Sequence, residues 1–503
     1  MNHYDVVIVG AGSAGCALAA RLSENPDRSV LLLEAGSDFA DPMAFPAELL
    51  DASAMAGAAD GHAANWALEA TLSGSRRIKV PRGKVIGGSS TVNGGVFIRA
   101  TADDFDRWAA LGNEEWSFAE VLPFLRRLED DRDFPAGEFH GSGGPMPVTR
   151  CAGADRHPLS QAFIAACAEL GFPEELDKNV PGAPGYGSLP RNIIDGVRLN
   201  AAMAYIAPHR HRANLTIESL VSARRVVFSG DRAVGVEVER SGTVEIFDGD
   251  EVVLCAGAVM SPQLLLLSGI GPAEQLRQHG ITVFADLPGV GTRCRDHPQL
   301  FLGFESSRSL PRAASAGVVE VALDCLVDDA PVALMPYLTS MAELVPGSGA
   351  SPSELVIGVL LERAASAVDI SLVSADPRLP PAIDYHSLES AGDRAHLRSA
   401  AEIGLAIIGS PAMGALGLRR TSPAGAVELD AWIHDNITTA VHLCASAPMG
   451  PDADPLAVVD QRCRVRGVAG LRVIDTSILP TAPSRGPACT AVLIGERASA
   501  FFD

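Results

Sequence analysis

A short β-branched run, Asp5 to Val9, opens the chain after four mostly polar residues. Continuous apolar runs of this kind suit strands of a parallel sheet, which helices cover on both faces. Glycines follow at Gly10, Gly12 and Gly15. From Ser13 the apolar positions take up helical spacing through Leu18, Ala19 and Leu22, and the pattern stops at Asn25-Pro26. A second apolar run, Ser29 to Leu33, predicts another buried strand and ends on Glu34. Further on, Ala233 to Val238 and Glu251 to Ala256 read as strands, and Ser261 to Ser268 as a buried helix. Strands are also expected at Val356–Leu361 and Asp369–Val373, and a helix at Asp393–Ile408. Stretches 308–318 and 346–353, rich in Ser, Ala, Gly and Pro, read as loops. No period of about 20–50 residues repeats, so solenoids and propellers are set aside.

Length and composition narrow this to a folded α/β protein of two domains. The chain has 503 residues, 47% hydrophobic and 20% charged, enough apolar surface for large cores. A net charge of −21 without a basic block excludes a nucleic-acid binder and disfavours docking on an anionic membrane. The nine cysteines form no CxxC pair and several sit in apolar runs, as expected of reduced, buried thiols. The first residues lack a basic segment, and no apolar run is long enough to span a membrane. The expectation is a cytoplasmic protein, at most peripheral to a membrane.

The glycines bring in chemistry. Gly10, Gly12 and Gly15 stand between a strand and a helix, where they permit a tight turn, close approach to a pyrophosphate and close helix–strand packing. The helix start, Ser13 and Ala14, offers free N–H groups to phosphate. Glu34, followed by Ala35, lies roughly 20 residues beyond, where a carboxylate accepts ribose hydroxyls. An acid rather than a base there argues for FAD or NAD over NADP. A second glycine-rich stretch, Pro81 to Arg99, mixes small polar residues with Ile86, Val92, Val96, Phe97 and Ile98. It reads as buried, and its polar backbone then needs partners, which a large polar ligand would supply.

Arg82-Gly83-Lys84, Gly87-Gly88-Ser89-Ser90 and Asn93-Gly94 resemble the first signature of the GMC (glucose–methanol–choline) flavin oxidoreductases. Gly257 to Gly271, Leu287 to Gly291, Asp296-His297-Pro298, Leu471 to Ser477 and Gly495 to Ala498 resemble the segments that follow in that family. The resemblance implies a Rossmann-like FAD-binding domain, residues 1–300 and 441–503, with a smaller α+β substrate-binding domain, 301–440. It places FAD against the first glycine turn and against Arg82, Gly87, Gly88, Ser89, Asn93, Gly94, Gly95, Val96, Ala223, Ala256, Gly257, Asp475, Thr476, Gly486 and Pro487. Some members attach FAD through a histidine at the position of Val92, so the flavin here is expected to be non-covalent.

His442-Leu-Cys-Ala-Ser-Ala-Pro-Met-Gly450 resembles the motif that carries the family's catalytic histidine. Oxidising an alcohol removes a hydroxyl proton and moves a hydride to flavin N5, and a neutral imidazole can take the proton. The family's second catalytic His or Asn falls on Gly486, which carries no side chain. Ser484, Arg485 or Cys489 could substitute; a single-base site is the simpler reading. His140, His297 and His434 are expected to be structural. Glu129, Asp130, Asp131 and Asp133 are expected to form a solvated surface, not a metal site.

The wording around His442, Val458 to Gly467, Ser484 to Pro487, Asp104 to Arg107 and Asn192 to Arg198 is similar to the GMC branch associated with the mycofactocin system. That branch implies a dehydrogenase that reoxidises reduced mycofactocin and passes electrons to a quinone or the respiratory chain rather than to O₂. The alternatives are an oxidase or dehydrogenase for a small or aromatic alcohol, and a flavin-dependent lyase or photoenzyme on the same fold.

Overall fold

β1 (His3–Val9), α1 (Ser13–Leu22) and β2 (Val30–Leu33) fall where the hydrophobic runs place them. The strands pair in parallel, Val6 opposite Val30 through Val9 opposite Leu33. All four side chains of β2 are buried, each worth ~1.5–3 kcal/mol against exposure. In this computed structural model the described residues are 3–153, 156–308, 310–311, 317–345, 349–424 and 428–502.

The first sheet has seven strands. Its order runs Leu215–Glu218, β2, β1, Thr243–Leu254, Arg232–Arg240, Ser222–Ser229, with Leu471–Val473 also paired to Thr243–Leu254. The four strands around β1 are parallel and the two at the far edge antiparallel. The end of the chain therefore returns to finish a sheet that its first residues begin. α2 (Gly257–Leu267) is buried nearly all round, as its largely apolar composition requires. α3 (Ala488–Ala498) lies against α1, and Gly495 permits the contact. A Cβ there would stand 2.3 Å from the Ala14 carbonyl oxygen.

The second sheet is antiparallel, in the order Leu418–Ser422, Pro298–Ser306, Leu355–Leu361, Ala330–Pro336, Val321–Val327, Tyr186–Ser188. The helix Ala391–Ile408 covers one face, with Gly404 seated against Leu302, Leu334 and Val359. A smaller sheet joins Val368–Ser371 and Ala382–Tyr385 to Leu68–Ser73 and Arg76–Val80. The second core draws on residues 68–80, 159–167, Ala258, Val259 and Cys294 as well as on the chain between Leu300 and Leu443, and Tyr186–Ser188 joins its sheet. Of the loops expected at 308–318 and 346–353, residues 309, 312–316 and 346–348 lie outside the described residues, and the rest form no helix or strand. Among those described, no helix is long and apolar enough to cross a membrane.

The nine cysteines are free, eight of them buried and Cys151 half-buried. The acidic stretch is only in part the solvated surface expected: Asp133 is exposed and Asp130 half-buried. Glu129 and Asp131 are buried. Glu129 pairs with Arg99 at 2.6 Å, Asp131 with Arg150 at 2.9 Å, and both with His140. Only the tertiary fold supplies those cations, from positions up to 30 residues away in sequence. Carboxylate and imidazole atoms of Glu129, Asp131 and His140 lie within 4.8 Å of one another, yet the two arginines already neutralise the acids.

Candidate functional site

A cavity of about 1550 Å³ is lined from both large sheets. Pockets for drug-sized ligands run about 300–1,000 Å³, so this one has room for a dinucleotide and a second molecule. One end lies at the carboxyl end of β1, where ligands bind in open α/β sheets. No side chain caps α1, whose N-cap is Gly12, so its first N–H groups and positive dipole end remain available to an anion. Gly10 adopts φ +106°, and a Cβ on Gly15 would lie 2.0 Å from the Gly10 carbonyl oxygen. The turn can therefore close only on glycine.

The second glycine-rich stretch docks onto this turn. Gly87 N–H donates to the Ala11 carbonyl at 2.7 Å, and a Cβ on Gly88 would lie 2.7 Å from Gly12 Cα. The two backbones make a cradle that side chains would fill. Glu34 is buried at the rim; its carboxylate accepts the N–H groups of Ala11 (3.1 Å) and Gly36 (2.7 Å), and burial raises its pKa. Each oxygen keeps a further lone pair for a ligand hydroxyl. Asp475, buried across the cavity, accepts from Gly257 N–H at 2.8 Å, Ser261 Oγ, Ser477 N–H at 2.8 Å and Ser477 Oγ. It pins the start of α2 to the C-terminal strand.

At the other end stands His442. Its position comes from strand pairing: Thr438–Thr439 runs antiparallel to Pro298–Gln299, and Ala440 N–H donates to the His297 carbonyl at 2.9 Å. Arg295 and Cys444 exchange both backbone hydrogen bonds just beyond. Between these anchors Val441 takes φ +56°, an outlier for a β-branched residue and a strain of ~1–3 kcal/mol held by its surroundings. The Asp296 carboxylate accepts the backbone N–H groups of both His297 and His442 at 2.7 Å. His442 Nδ1 lies 2.9 Å from His297 Nδ1, with the rings edge to face. Burial, with His297 and Arg82 nearby, holds the His442 pKa well below the usual imidazole range, so the ring is neutral. A Cβ on Gly486 would stand 3.3 Å from His442 Cε1 and 3.6 Å from Nε2. The glycine leaves the Nε2 edge open to the cavity.

Of the residues singled out in the sequence, Gly10, Gly12, Ser13, Ala14, Glu34, Ala35, Arg82, Gly88, Ser89, Asn93, Gly94, Val96, Ala223, Ala256, Gly257, His442, Asp475, Thr476, Gly486 and Pro487 line this cavity. Gly15, Gly87 and Gly95 stand behind its wall, where they permit backbone packing. The suggested substitutes for the missing partner are engaged elsewhere. Ser484 donates twice to Asp104 and Arg485 is paired with Glu175 and Asp324. Burial pushes the Cys489 thiol up to about 12. His434 is exposed beside Asp435, and His140 is held in the acidic cluster.

His297, expected to be structural, is laid against His442 by strand pairing. Behind it Glu362, buried at the end of Leu355–Leu361, reaches His297 Nδ1 at 3.1 Å. Gln299, Phe301, Met335, Tyr337 and Glu362 complete the cavity wall near His442. Asp296-His297-Pro298 was visible as a motif; no local signal marks Glu362.

The chain is similar to known proteins over nearly its whole length. The GMC oxidoreductase family profile matches residues 4–299 in its N-terminal part and 365–495 in its C-terminal part. The chain is 41% identical to a GMC-type oxidoreductase of Rhodococcus erythropolis, itself uncharacterised, over 99% of this chain and 98% of that one. It is 34% identical to an oxygen-dependent choline dehydrogenase of Vibrio vulnificus, over 99% of this chain and 94% of the relative. Pyridoxine 4-oxidase from Mesorbium loti superposes with a TM-score of 0.90 at 29% identity, covering 99% of this chain and 98% of that structure.

Proposed function

Because the chain belongs to the GMC oxidoreductase family of FAD-dependent enzymes acting on CH–OH groups, we propose that it oxidises an alcohol with His442 as the base and reduced mycofactocin as the donor. FAD, when bound, supplies the hydride acceptor. The observation that carries the role of His442 is a neutral, half-buried imidazole whose Nε2 edge faces the cavity across Gly486. The alcohol gives up a C–H hydride and an O–H proton, and Nε2 receives the proton. Such help is worth about 10²–10⁴ in rate.

The chain's residues fit the cofactor. The Gly10–Gly15 turn and the start of α1 would hold the diphosphate, Glu34 the ribose hydroxyls, and the backbone at Ala223 the adenine. Arg82 and the Gly87–Val96 stretch, with Ala256, Gly257, Asp475, Thr476, Gly486 and Pro487, would enclose the rest. Val92 cannot form a histidyl link, so FAD is held non-covalently, and acid precipitation should release all of it. Gly486 in Ser484-Arg485-Gly486-Pro487 supports the mycofactocin reading, since it departs from the family's usual His or Asn there. Electrons then pass to a quinone of the respiratory chain.

A second reading, a small or aromatic alcohol, is favoured by the likeness to pyridoxine 4-oxidase and by the aromatic wall of Phe301 and Tyr337. Anaerobic mixing with reduced mycofactocin and with an alcohol panel, followed by flavin bleaching, separates the two. Addition of O₂ or a quinone analogue then identifies the acceptor. Bleaching by pyridoxine-like alcohols alone would displace the first reading, as would rapid peroxide formation. No bleaching by any alcohol would return the non-redox alternative.

A further inference from the structure

We propose that His297 and Glu362 form a relay that removes the alcohol proton from His442 and stores its charge against a buried carboxylate. The inference rests on His442 being the base.

Hydrogen-bond partners dictate the resting tautomers. His297 Nε2 lies 2.9 Å from the Pro483 carbonyl oxygen, which can only accept, so Nε2 carries hydrogen. The Nδ1 of a neutral His297 is then a bare lone pair. It stands 2.9 Å from His442 Nδ1, which must therefore be N–H. That leaves His442 Nε2 bare on the side facing Gly486 and the cavity, as a base requires. Glu362 Oε2 also lies 3.1 Å from His297 Nδ1, and that oxygen has no hydrogen-bond partner among the described residues. An ionised carboxylate against a lone pair is poorly satisfied. Against an N–H it becomes an ion pair.

Alcohol oxidation converts one arrangement into the other. The substrate O–H bond breaks and an N–H bond forms at His442 Nε2. The His442 Nδ1–H bond breaks and an N–H bond forms at His297 Nδ1. His442 ends neutral as the opposite tautomer, and His297 ends as an imidazolium beside the Glu362 carboxylate. No electrons move in this relay; the pair released with the C–H hydride leaves by the flavin. The destination matters because burial makes a charged His442 costly.

The surrounding charges leave this task to Glu362. Asp324, Arg485, Lys178 and Glu175 neutralise one another. Asp104 is held by Ser484 and Arg107, and Asp296 by the two histidine N–H groups and Tyr385. Arg82 lines the cavity and acts on His442. Tyr337 lines the same wall, and its hydroxyl accepts from Gln299. Glu362 has His297 as its one ion-pair partner among the described residues. Burial lifts its carboxyl to about 7 even beside His297. The relay is therefore armed as pH rises through neutrality.

The test uses the FAD-loaded enzyme with a bleaching alcohol in anaerobic stopped flow across pH. Wild type should show flavin reduction rising with pH through about 7. Glu362→Gln should lower the rate at least tenfold at high pH and remove that rise, and Glu362→Asp should restore part of both. Nitrogen NMR of histidine-labelled enzyme without substrate gives an independent reading. In the resting enzyme His297 should carry its proton on Nε2 and His442 its proton on Nδ1. An unchanged pH profile in Glu362→Gln, or the opposite resting tautomers, overturns the relay. Unchanged flavin reduction in His442→Ala overturns instead the role of His442 on which it rests.

Discussion

Gly88→Ala tests whether the two glycine-rich stretches form one cofactor cradle. Gly88 has φ +56°, a region that costs an L-residue ~1–2 kcal/mol. The added methyl would lie 2.7 Å from Gly12 Cα, a backbone atom that cannot rotate aside. Overpacking of that kind costs ~1–3 kcal/mol. The two penalties act on the same contact, and together they reach about 2–5 kcal/mol. If FAD needs the docked loops, this appears as a Kd weakened about 30-fold to a few thousand-fold, at about 1.4 kcal/mol per decade. The assay is titration of FAD-stripped protein with FAD, read by flavin fluorescence, beside thermal unfolding of the same sample. Gly182→Ala is the control, because its methyl would meet nothing within 4 Å and its φ is not positive. It should bind FAD as wild type does. A Gly88→Ala protein whose Kd stays within threefold of wild type would refute the cradle.

Three further outcomes follow from the buried polar groups. Burial pushes the His140 pKa down, but hydrogen bonds to Asp131, Asp177 and Glu129 outweigh it and hold the value at about 10. A folded pKa above the unfolded ~6.5 stabilises fully below that value and is lost as pH rises through about 10, so Tm should fall across this window and fall less in His140→Asn. Asp475→Ala strands the N–H groups of Gly257 and Ser477 and frees two hydroxyls. At about 1–3 kcal/mol for each buried N–H, ~2–6 kcal/mol should be lost in chemical denaturation, and Asp475→Asn should lose less. Burial raises the pKa of Cys16, Cys255, Cys294, Cys444, Cys463 and Cys489, so a thiol reagent should modify at most Cys151 in the native protein and all nine cysteines after unfolding. Rapid native labelling of several thiols would contradict the packing.

The elements at the start of the chain were legible because their signals are local. A β-branched run, a glycine turn and a helical repeat each lie within one element, and β1, α1 and β2 appear within a residue or two of expectation. Much of the glycine-rich wall of the cavity was legible for the same reason, since glycines write a close backbone approach directly into the chain. His442 was visible through its motif, and the absence of a side chain at Gly486 was equally plain.

What the fold alone decided is company. His442 was expected to work singly because its partner was sought near Gly486 in sequence; the fold sets another imidazole, His297, against it from 145 residues away. Glu362 reaches the pair from the end of a third strand of the same sheet. The acidic run near Glu129 looked solvated until folding set Arg99, Arg150 and His140 around it. Periodicity records which face of an element is apolar. It does not record which elements become neighbours, and the protonation state of a buried group depends on its neighbours.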